Sequence, residues 1–493
     1  MTTTVLPPLG ASSTFSIWDA IDWRPIIQGV RRLQMRIAKA TREGRWGKVK
    51  ALQWLLTHSS YAKLLAVRRV VSNPGRNTAG VDGILWKTAG QKLRAARSLR
   101  RRGYRPQPSR RIYIPKKNGK RRPLGIPTLG DRAMEALQLL ALEPVAETLA
   151  DPNAYGFRPK RSAADAIEQC FIVLARKQSA QWIFEGDIKA CFDRISHPWL
   201  NDHIPMDKPI LRKWLAAGYM EEGVVYPTEA GTPQGGIASP ALANMALDDL
   251  EEIARRAAPP NQKVHVVRYA DDFIITGTSK EVLETKVKPA IVTFLKERGL
   301  ELSDEKTRIT HIDDGFDFLG FNVRKYAGKL LIKPSKGAIK SFLERIRGII
   351  KANVATKTED LIRQLNSKLR GWTNYFRHVV AKKSFTYVDD QVFRALITWI
   401  KRRHPNKSAR WKRQRYFRSE GRRNWVFFAS TRDASGKATC LDLFQATSVP
   451  IIRHIKIQAQ ATPYDPAFTD YFARRAQSRR VSRLRWRGMV MSA

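Results

Sequence analysis

The chain has 493 residues, and its 89 lysine and arginine residues against 44 aspartate and glutamate residues give a formal net charge of +45 at pH 7. This length predicts two to four domains with real apolar cores, and the charge predicts a polyanionic partner, nucleic acid first. No stretch is apolar enough to span a bilayer and the opening residues do not resemble a signal peptide, so we expect no membrane partner and a cytoplasmic location. The three cysteines lie far apart, which argues against a disulfide scaffold and a cysteine-built zinc site.

The N-terminal third is predicted to be a disordered leader, residues 1–24, followed by amphipathic helices. Apolar residues recur at helical spacing from Ile27 to Ile37 and again around Leu52. Residues 110–127 have alternating apolar positions on both sides of a Lys–Asn–Gly turn, which predicts a basic β-hairpin. Mixed helix and short strand are expected from there to about residue 325.

Two adjacent carboxylates stand out in the next segment. Asp271 and Asp272 lie between two apolar runs rich in β-branched residues, at 264–267 and 273–275, which predicts a hairpin with both carboxylates at its tip. Neighbouring like charges repel unless a cation binds them, and hard divalent cations such as Mg²⁺ take carboxylate oxygens together with substrate phosphates. The hairpin is therefore a candidate phosphoryl-transfer site.

A third carboxylate, Asp187, follows a predicted strand at residues 182–184 and can face the hairpin tip from a neighbouring strand. Sites with two metal ions need carboxylates from more than one element, so Asp187, Asp271 and Asp272 are the candidate catalytic residues and metal ligands. Asp193 is the competing choice on the same segment, but we expect it to cap its helix or to form an ion pair within it.

The pattern changes after residue 330, where we place a domain boundary. Apolar residues from Ile339 to Ile350 form a helical stripe with lysine and arginine on the opposite face. Residues 401–493 contain 22 lysine and arginine residues against 5 acidic ones, interleaved with aromatic residues such as Trp411 and Trp425. This mixture predicts phosphate neutralisation with base stacking. The alternative, a small α/β core with a charged surface, is compatible with nucleic-acid binding, because the aromatic residues can lie in the core while the charged residues bind phosphates.

Eight ordered blocks between residues 78 and 325 resemble the group II intron-encoded reverse transcriptase/maturases of bacteria. They include TAGVDG (78–83), YIPKKNGKRRPLGIPTLGDR (113–132), YGFRPKRSAADAI (155–167), DIKACFDRI (187–195), RYADD (268–272) and FDFLGFNVRK (316–325). Residues 333–336, 370–379 and 401–411 resemble the thumb or maturase region and the start of the DNA-binding region of that family. The resemblance implies an α+β right-hand polymerase, with fingers and palm built on antiparallel sheet, an α-helical thumb and a small basic C-terminal region.

The implied domains are the N-terminal extension and fingers at 25–175, the palm at 176–330, the helical thumb or maturase domain at 331–400, and a basic DNA-binding region with its tail at 401–493. The first two together form the reverse transcriptase domain, 25–330. Many relatives continue into an HNH endonuclease with paired cysteines and clustered histidines. Only Cys440 and the isolated His404 and His454 occur late in this sequence. We therefore expect no such domain, and a primer from another source, such as a nascent strand at a replication fork.

The resemblance also implies roles for single residues. Asp187, Asp271, Asp272 and the backbone carbonyl of Ile188 are expected to hold two Mg²⁺ ions, with Mn²⁺ as a possible substitute. Nucleotide binding is expected of Lys117 (or Lys116), Arg122, Phe192, Gln234 and Gly235, and primer positioning of Phe318, Leu319 and Gly320. The ring of Phe192 suits exclusion of a ribose 2′-hydroxyl, with core packing as the alternative. Lys306 is a possible general acid or a solvated surface lysine. Arg158 and Arg161 lie in a block that the family uses near the template and the nucleotide, and the resemblance implies no finer role for either residue.

The implied function is an RNA-directed DNA polymerase, a nucleotidyltransferase that also binds its parent intron RNA as a splicing maturase and supports intron mobility by target-primed reverse transcription. Expected partners are the intron RNA, an RNA template with a DNA primer, target DNA and deoxynucleoside triphosphates; the oligomeric state is left open. Two alternatives remain: an RNA-binding splicing cofactor with vestigial polymerase activity, and a domesticated reverse transcriptase used in DNA repair or phage defence. Three intact clustered carboxylates argue against the first, because a purely structural role has no use for them.

Overall fold

The computed structural model describes residues 17–115, 119, 121–421, 423–432 and 436–478. Within them the chain is a mixed α/β protein with small, mainly antiparallel sheets and a helical region in its C-terminal half, so the predicted α+β class is confirmed. None of the helices in this part of the chain combines the length and apolar character needed to cross a membrane.

The helices in chain order are α1 (Trp23–Arg42), α2 (Trp46–His58), α3 (Ser60–Ser72), α4 (Ala89–Ser98), α5 (Leu129–Leu149), α6 (Ala163–Leu174), α7 (Cys191–Arg194), α8 (His197–His203), α9 (Lys208–Leu215), α10 (Ser239–Ala246), α11 (Leu250–Arg256), α12 (Lys280–Val282), α13 (Lys288–Glu297), α14 (Lys336–Ala352), α15 (Thr358–Phe376), α16 (Lys382–Arg403) and α17 (Ala409–Tyr416). A π-helical turn, Leu283–Val287, joins α12 to α13.

The strands are β1 (Ser109–Pro115), β2 (Arg121–Ile126), β3 (Trp182–Asp187), β4 (Tyr219–Glu221), β5 (Val224–Tyr226), β6 (Val266–Tyr269), β7 (Asp272–Gly277), β8 (Arg308–His311), β9 (Phe316–Phe318), β10 (Phe321–Tyr326), β11 (Lys329–Pro334), β12 (Phe417–Glu420), β13 (Arg423–Arg432) and β14 (Ala438–Asp442).

The first three helices pack around α5, which is buried along most of its length. Helix α1 begins after Asp22, whose carboxylate accepts a hydrogen bond from the backbone N–H of Arg24 at 3.0 Å. Of the predicted leader, residues 1–16 lie outside the described residues, and the remainder differs from the prediction. Trp18 is only 6% exposed and lies edge-on to Trp23 in the core. A single anchoring tryptophan has no periodicity, so the pattern gave no sign of it.

The predicted basic hairpin is formed by β1 and β2, which pair from Arg110 opposite Ile126 to Pro115 opposite Arg121. Strand β4 pairs parallel to β1 and β5 pairs antiparallel to β4, so the order of this sheet is β2-β1-β4-β5. Residues 116–118 and 120, most of the predicted turn, lie outside the described residues.

A second four-stranded sheet, called here the central sheet, has the order β6-β7-β3-β8. Phe184 and Phe273 on one face join a hydrophobic cluster with α5 and the helices between β5 and β8. Ile183 and Ile274 on the other face join a cluster with α6 and α14 to α16. Because both faces are buried, β3, β6 and β7 are mostly apolar, and the buried charges within them are paired: Glu185 with Arg308 and Arg268 with Asp248.

Strands β9, β10 and β11 form an antiparallel sheet that leads into α14, the helix that contains the predicted apolar stripe. Phe342, Ile346 and Ile350 on that stripe are buried against α15 and α16. The boundary predicted near residue 330 falls within β11, which stays paired to β10 as far as Pro334. The strand therefore belongs structurally with the residues that precede it.

The residues beyond 400 pack directly on the helices before them. Helix α16 continues to Arg403, and Tyr416, Phe417 and Phe427 are buried in the same cluster as α15 and α16. Strands β12, β13 and β14 form an antiparallel sheet beside them. Several aromatic residues of this basic region therefore lie in the core, as expected for a small α/β core with a charged surface. Trp425, by contrast, is 45% exposed.

Residues 450–478, called here the C-terminal arm, run back over the N-terminal half. The fully buried carboxylate of Asp165 in α6 accepts hydrogen bonds from His454 Nε2 at 2.8 Å and Arg475 Nη2 at 2.9 Å. Further along, Asp465 forms an ion pair with Arg42 of α1 at 2.6 Å. The arm therefore joins α1 and α6 to the C-terminal half.

Candidate active site

The three predicted carboxylates lie at strand ends along one edge of the central sheet. Asp187 is the last residue of β3 and is paired with Asp272, the first residue of β7. Asp271 lies in the two-residue turn between β6 and β7, where Tyr269 pairs with Asp272. The structure thus brings Asp187 next to residues 84 and 85 positions further along the chain, because β3 and β7 are antiparallel neighbours.

The hairpin tip is held in place by the loop at residues 153–156. Tyr155 N–H donates to the carbonyl of Arg268 at 2.9 Å, and Arg268 N–H donates to the carbonyl of Asn153 at 3.0 Å. A Cβ on Gly156 would lie 2.3 Å from the backbone nitrogen of Ala270, so only glycine permits this approach. Ala270 itself has a φ of +58°. The loop at residues 153–156 therefore holds the turn between β6 and β7 in a backbone conformation that an alanine at position 270 does not favour by itself.

Burial and neighbouring carboxylates raise the pKa values of Asp271 and Asp272. Desolvation by the surrounding protein, followed by repulsion from Asp271 and a hydrogen bond with Asp187, raises the pKa of Asp272 to about 7, although its side chain is open to solvent. Desolvation, together with the charge of Asp187, also raises the pKa of Asp271. The site therefore disfavours three negative charges unless a cation binds.

Lys306 supplies a cation to this cluster. Its Nζ lies 2.6 Å from Asp187 Oδ2, and this hydrogen bond raises the pKa of the ammonium. The lysine side chain is 63% exposed, so the ion pair is worth at most about 1 kcal/mol and a more strongly bound cation can displace it.

Among the described residues, no three histidine, cysteine, aspartate or glutamate side chains stand close enough together to hold a metal ion. The ammonium of Lys306 lies against one carboxylate oxygen of Asp187. The donor chemistry itself suits Mg²⁺, since the cluster offers carboxylate oxygens. The backbone bridge between Ile188 and Leu302 uses the carbonyl of Asp187 and the N–H of Lys189, and not the carbonyl of Ile188. An ion bound through that oxygen would have to displace the Lys306 ammonium.

Three of the predicted nucleotide-binding residues meet beside β2. Thr232 N–H donates to the carbonyl of Phe192 at 2.6 Å, and Gly125 N–H donates to the carbonyl of Gln234 at 3.0 Å. Gly235 has a φ of +134°, and a Cβ there would lie 2.3 Å from the carbonyl oxygen of Gly125. Glycine is thus required where this segment crosses the hairpin.

The remaining nucleotide-binding predictions fall on the basic hairpin. Arg122 in β2 is exposed, and its charge opposes the rise in the pKa of Asp271. Lys117 and the alternative Lys116 lie outside the described residues.

The predicted primer-positioning residues form the turn between β9 and β10. Leu319 and Gly320 have φ values of +52° and +81°, the pattern of a tight two-residue hairpin turn, and the carbonyl of Leu319 accepts a hydrogen bond from the Tyr375 hydroxyl at 2.9 Å. Phe318 and Leu319 line one groove of about 340 Å³ together with two of the three carboxylates, Asp187 and Asp272. The residues lining that groove include Asp187, Asp272, Lys306, Arg308, Phe318 and Leu319.

Asp193 makes a contact that the sequence did not predict. The helix cap at this position is Ala190, and the Asp193 carboxylate accepts a hydrogen bond from Gln234 Nε2 at 3.0 Å. The expected role as a cap is therefore wrong, because the side chain reaches a segment 41 residues away. No local pattern in the sequence indicates such a pairing.

Arg158 and Arg161 serve the protein's own packing. Arg158 is buried and pairs with both carboxylate oxygens of Glu147 at 2.9 and 3.0 Å. Arg161 donates to the carbonyl of Ala459 in the C-terminal arm at 2.5 Å. These contacts give both arginines a structural role that does not involve template or nucleotide.

Comparison with known proteins gives three matches in chain order. Residues 18–99 match the family described as N-terminal domain of reverse transcriptase, residues 114–323 match Reverse transcriptase (RNA-dependent DNA polymerase), and residues 339–417 match Group II intron, maturase-specific domain.

Two relatives cover most of their own length. Protein YkfC from Escherichia coli K12 is 34% identical over 300 residues, which cover 52% of this chain and 78% of that protein. Group II intron-encoded protein LtrA from Lactococcus lactis subsp. cremoris is 30% identical over 409 residues, which cover 63% of this chain and 68% of that protein. Among solved structures, telomerase from Candida albicans with a fragment of telomeric RNA has 14% sequence identity and a TM-score of 0.38, covering 61% of this chain and 59% of that one. From its domain matches and these two relatives, the chain belongs to the group II intron-encoded reverse transcriptase/maturases, which are RNA-directed DNA polymerases with a splicing maturase domain.

Proposed function

We propose that Asp187, Asp271 and Asp272 bind two divalent cations, Mg²⁺ with Mn²⁺ as a substitute, during RNA-templated DNA synthesis. The main support is the register of the central sheet, which puts Asp187 opposite Asp272 with Asp271 next in the chain. The raised pKa values of Asp271 and Asp272, caused first by desolvation and then by neighbouring carboxylates, mean that the charge of Lys306 does not fully offset the repulsion in this cluster. The backbone carbonyl of Ile188 is the further candidate ligand.

Bound ions would supply activation of the primer 3′-hydroxyl and neutralisation of the triphosphate charge. The protein holds its carboxylates on strand ends whose backbone is fixed by both neighbouring strands, so little reorganisation is needed during reaction. When Lys306 leaves Asp187, its ammonium remains in the same groove. A protonated lysine there can donate a proton to the departing pyrophosphate.

The segment around Phe192, Gln234 and Gly235 would form the wall against which the incoming nucleotide packs. An aromatic ring at Phe192 would meet a ribose 2′-hydroxyl, which favours deoxynucleoside triphosphates. Arg122 in β2, together with Lys117 of the turn predicted from the sequence, would contact the phosphates, where the planar guanidinium of the arginine suits bidentate binding. The backbone contact between Gly125 and Gln234 couples the hairpin to this wall.

Primer extension on an RNA template with Mg²⁺ tests the carboxylate proposal. We expect the double variant Asp271→Asn, Asp272→Asn to lose at least about a thousandfold in rate, because several kcal/mol of charge stabilisation disappears. Asp313→Asn, Asp314→Asn is the matched control, since this second pair of adjacent aspartates is exposed and lies away from the three carboxylates. Equally little incorporation by wild type and the Asp271, Asp272 variant would refute the proposal and favour the splicing cofactor with vestigial polymerase activity.

We further propose that the chain binds its parent intron RNA and supports intron mobility by target-primed reverse transcription, with target DNA as an additional partner. The maturase match at 339–417 and the net charge of +45 support this. A splicing assay with the double carboxylate variant separates the two activities, because intron RNA binding does not depend on those side chains. Splicing that fails together with polymerisation would show that the activities share one site.

A further inference from the structure

Helix α10 begins without a capping side chain of its own, and a carboxylate from α5 takes that place. The residue before the helix is Ala238, whose side chain cannot accept a hydrogen bond. Glu135 Oε2 instead accepts hydrogen bonds from the backbone N–H groups of Ile237 and Ala238, the latter at 3.2 Å. The start of a helix has unsatisfied N–H groups and a partial positive charge, so a carboxylate suits this position. Glu135 therefore fixes the backbone where the proposed nucleotide wall leads into α10.

The segment at residues 234–238 leaves room for this carboxylate. A Cβ on Gly236 would lie 3.1 and 3.2 Å from the two carboxylate oxygens of Glu135, so a side chain there would press on the acid. At the other end of the segment, Gly125 N–H donates to the carbonyl of Gln234 at 3.0 Å. The basic hairpin thus holds one end of the segment, and α5 holds the other through Glu135.

Stability alone does not explain an acid at position 135. Glu135 is only 7% exposed, and desolvation raises its pKa to about 7, although the hydrogen bonds from Ala238 and Ile237 oppose the rise. The attraction of Arg132 counts for less, because its guanidinium donates to three backbone carbonyls. Since the pKa in the fold lies above the ordinary value of 4.5, the group costs stability as the pH rises from about 4.5 to 7. A buried group kept at such a cost points to a task for its hydrogen bonds.

We propose that Glu135 is a positioning residue for nucleotide binding. Its bonds to the two N–H groups before α10 keep Gln234 and Gly235 in the conformation that meets the incoming nucleotide. The inference rests on the proposed nucleotide wall and adds to it a buried residue from α5. Without Glu135 the wall would adopt the competent conformation for only part of the time, which weakens apparent nucleotide binding by that fraction. The effect falls on KM rather than on kcat, because a bound nucleotide restores the conformation.

Primer extension by the full chain on an RNA template tests this with two variants of similar size. Glu135→Met keeps the bulk of the side chain and removes the acceptor, so KM for the deoxynucleotide should rise about five- to twentyfold with kcat within about threefold of wild type. Glu135→Gln keeps an oxygen acceptor for both N–H groups, and its KM should stay within about threefold of wild type.

Glu143→Met is the matched control. Glu143 is a second acid of α5, and its carboxylate accepts a hydrogen bond from the Tyr464 hydroxyl in the C-terminal arm instead of contacting the wall. Its substitution should change neither KM nor kcat by more than about twofold, and the thermal midpoints of the two methionine variants should agree within about 3 °C.

Contrary results overturn the positioning role in distinct ways. An unchanged KM in Glu135→Met would show that the wall stays in place without the carboxylate. A fall in kcat as large as the rise in KM, an equal rise in Glu143→Met, or a much lower thermal midpoint in Glu135→Met alone would give Glu135 a packing role. A high KM in Glu135→Gln would show that the oxygen acceptor is not what matters.

Gly235→Ala, measured in the same assay, separates this inference from the proposed wall. Normal kinetics in both Gly235→Ala and Glu135→Met would refute the wall itself. Impaired incorporation by Gly235→Ala together with normal kinetics in Glu135→Met would refute only the role of Glu135.

Discussion

Lys306 holds its ammonium 2.6 Å from Asp187 Oδ2, so a side chain of the protein occupies a carboxylate that we propose as a ligand of the divalent cations. A divalent cation must compete with this contact, which is exposed and therefore weak.

We expect Lys306→Met to bind Mg²⁺ more tightly than wild type. Removing an exposed ion pair worth at most about 1 kcal/mol should lower the Mg²⁺ concentration at half-maximal thermal stabilisation by about two- to fivefold. The measurement is the thermal midpoint during a Mg²⁺ titration, which does not depend on activity. Lys296→Met, an exposed lysine on α13, is the control. An unchanged Mg²⁺ dependence in Lys306→Met would mean that the lysine does not compete for Asp187.

Asp193 is expected to position Gln234 for nucleotide binding. Asp193→Ala removes the acceptor of the 3.0 Å hydrogen bond from Gln234 and leaves its amide free to rotate. A single hydrogen bond is worth about 0.5–1.5 kcal/mol, so KM for the deoxynucleotide should rise about two- to tenfold while kcat stays within about twofold. Steady-state kinetics on a primed RNA template measures both constants, with Asp202→Ala on the exposed surface of α8 as control. A fall in kcat with constant KM would contradict a positioning role.

Local sequence patterns predicted the elements that carry the carboxylates. Apolar runs on both sides of Asp271 and Asp272 predicted the hairpin, and an apolar stretch before Asp187 predicted the strand, because strands buried on both faces need such runs. The helical stripe of α14 was also predictable, because its buried residues recur at helical spacing.

Contacts between distant segments could not be predicted in this way. Gln234 pairs with Asp193 across 41 residues and His454 with Asp165 across 289, and neither pair leaves a periodic trace in the sequence. The left-handed φ of Trp425 was equally hidden, because residue type alone favours an ordinary strand there. Tertiary packing determines these features, so the sequence contains the residues involved but no pattern that indicates their contacts.

Two glycine substitutions should have opposite effects. In Gly235→Ala the new Cβ would lie 2.3 Å from the carbonyl oxygen of Gly125, and a φ of +134° is strained for alanine, so the nucleotide wall must shift. We expect at least about a tenfold loss in kcat/KM for nucleotide incorporation. Gly348→Ala in α14 has open space around it and should raise the free energy of unfolding by about 0.5–1 kcal/mol with activity unchanged. Urea unfolding and primer extension test both, and a Gly235→Ala protein with normal kinetics would show that the crossing tolerates a side chain.

The buried carboxylate of Asp165 should make the attachment of the C-terminal arm sensitive to acid. Burial alone would raise its pKa, but hydrogen bonds from His454, Ser162 and the backbone N–H of Ile457 outweigh burial and lower the pKa to about 2. Because the unfolded chain has a value of about 3.9, Asp165 adds stability above about pH 4, and that contribution is lost as the pH falls through about 2. Asp165→Asn should therefore reduce the free energy of unfolding by about 1.5–3 kcal/mol at pH 7, and the difference from wild type should shrink as the pH falls below 4.

Urea unfolding at pH 7, 5, 4 and 3 measures this difference, with Asp360→Asn, an exposed aspartate in the first turn of α15, as control. The free energy of unfolding of the variant is subtracted from that of wild type because many other carboxylates titrate over the same pH range in both proteins. Their contributions cancel in the difference. A difference between wild type and Asp165→Asn that stays constant from pH 7 to 3 would mean that the Asp165 carboxylate is not held ionised by the arm. Limited proteolysis adds a structural readout, since an arm released from Asp165 should expose the backbone at residues 450–478 to cleavage at pH 7 in the variant and only at acid pH in wild type.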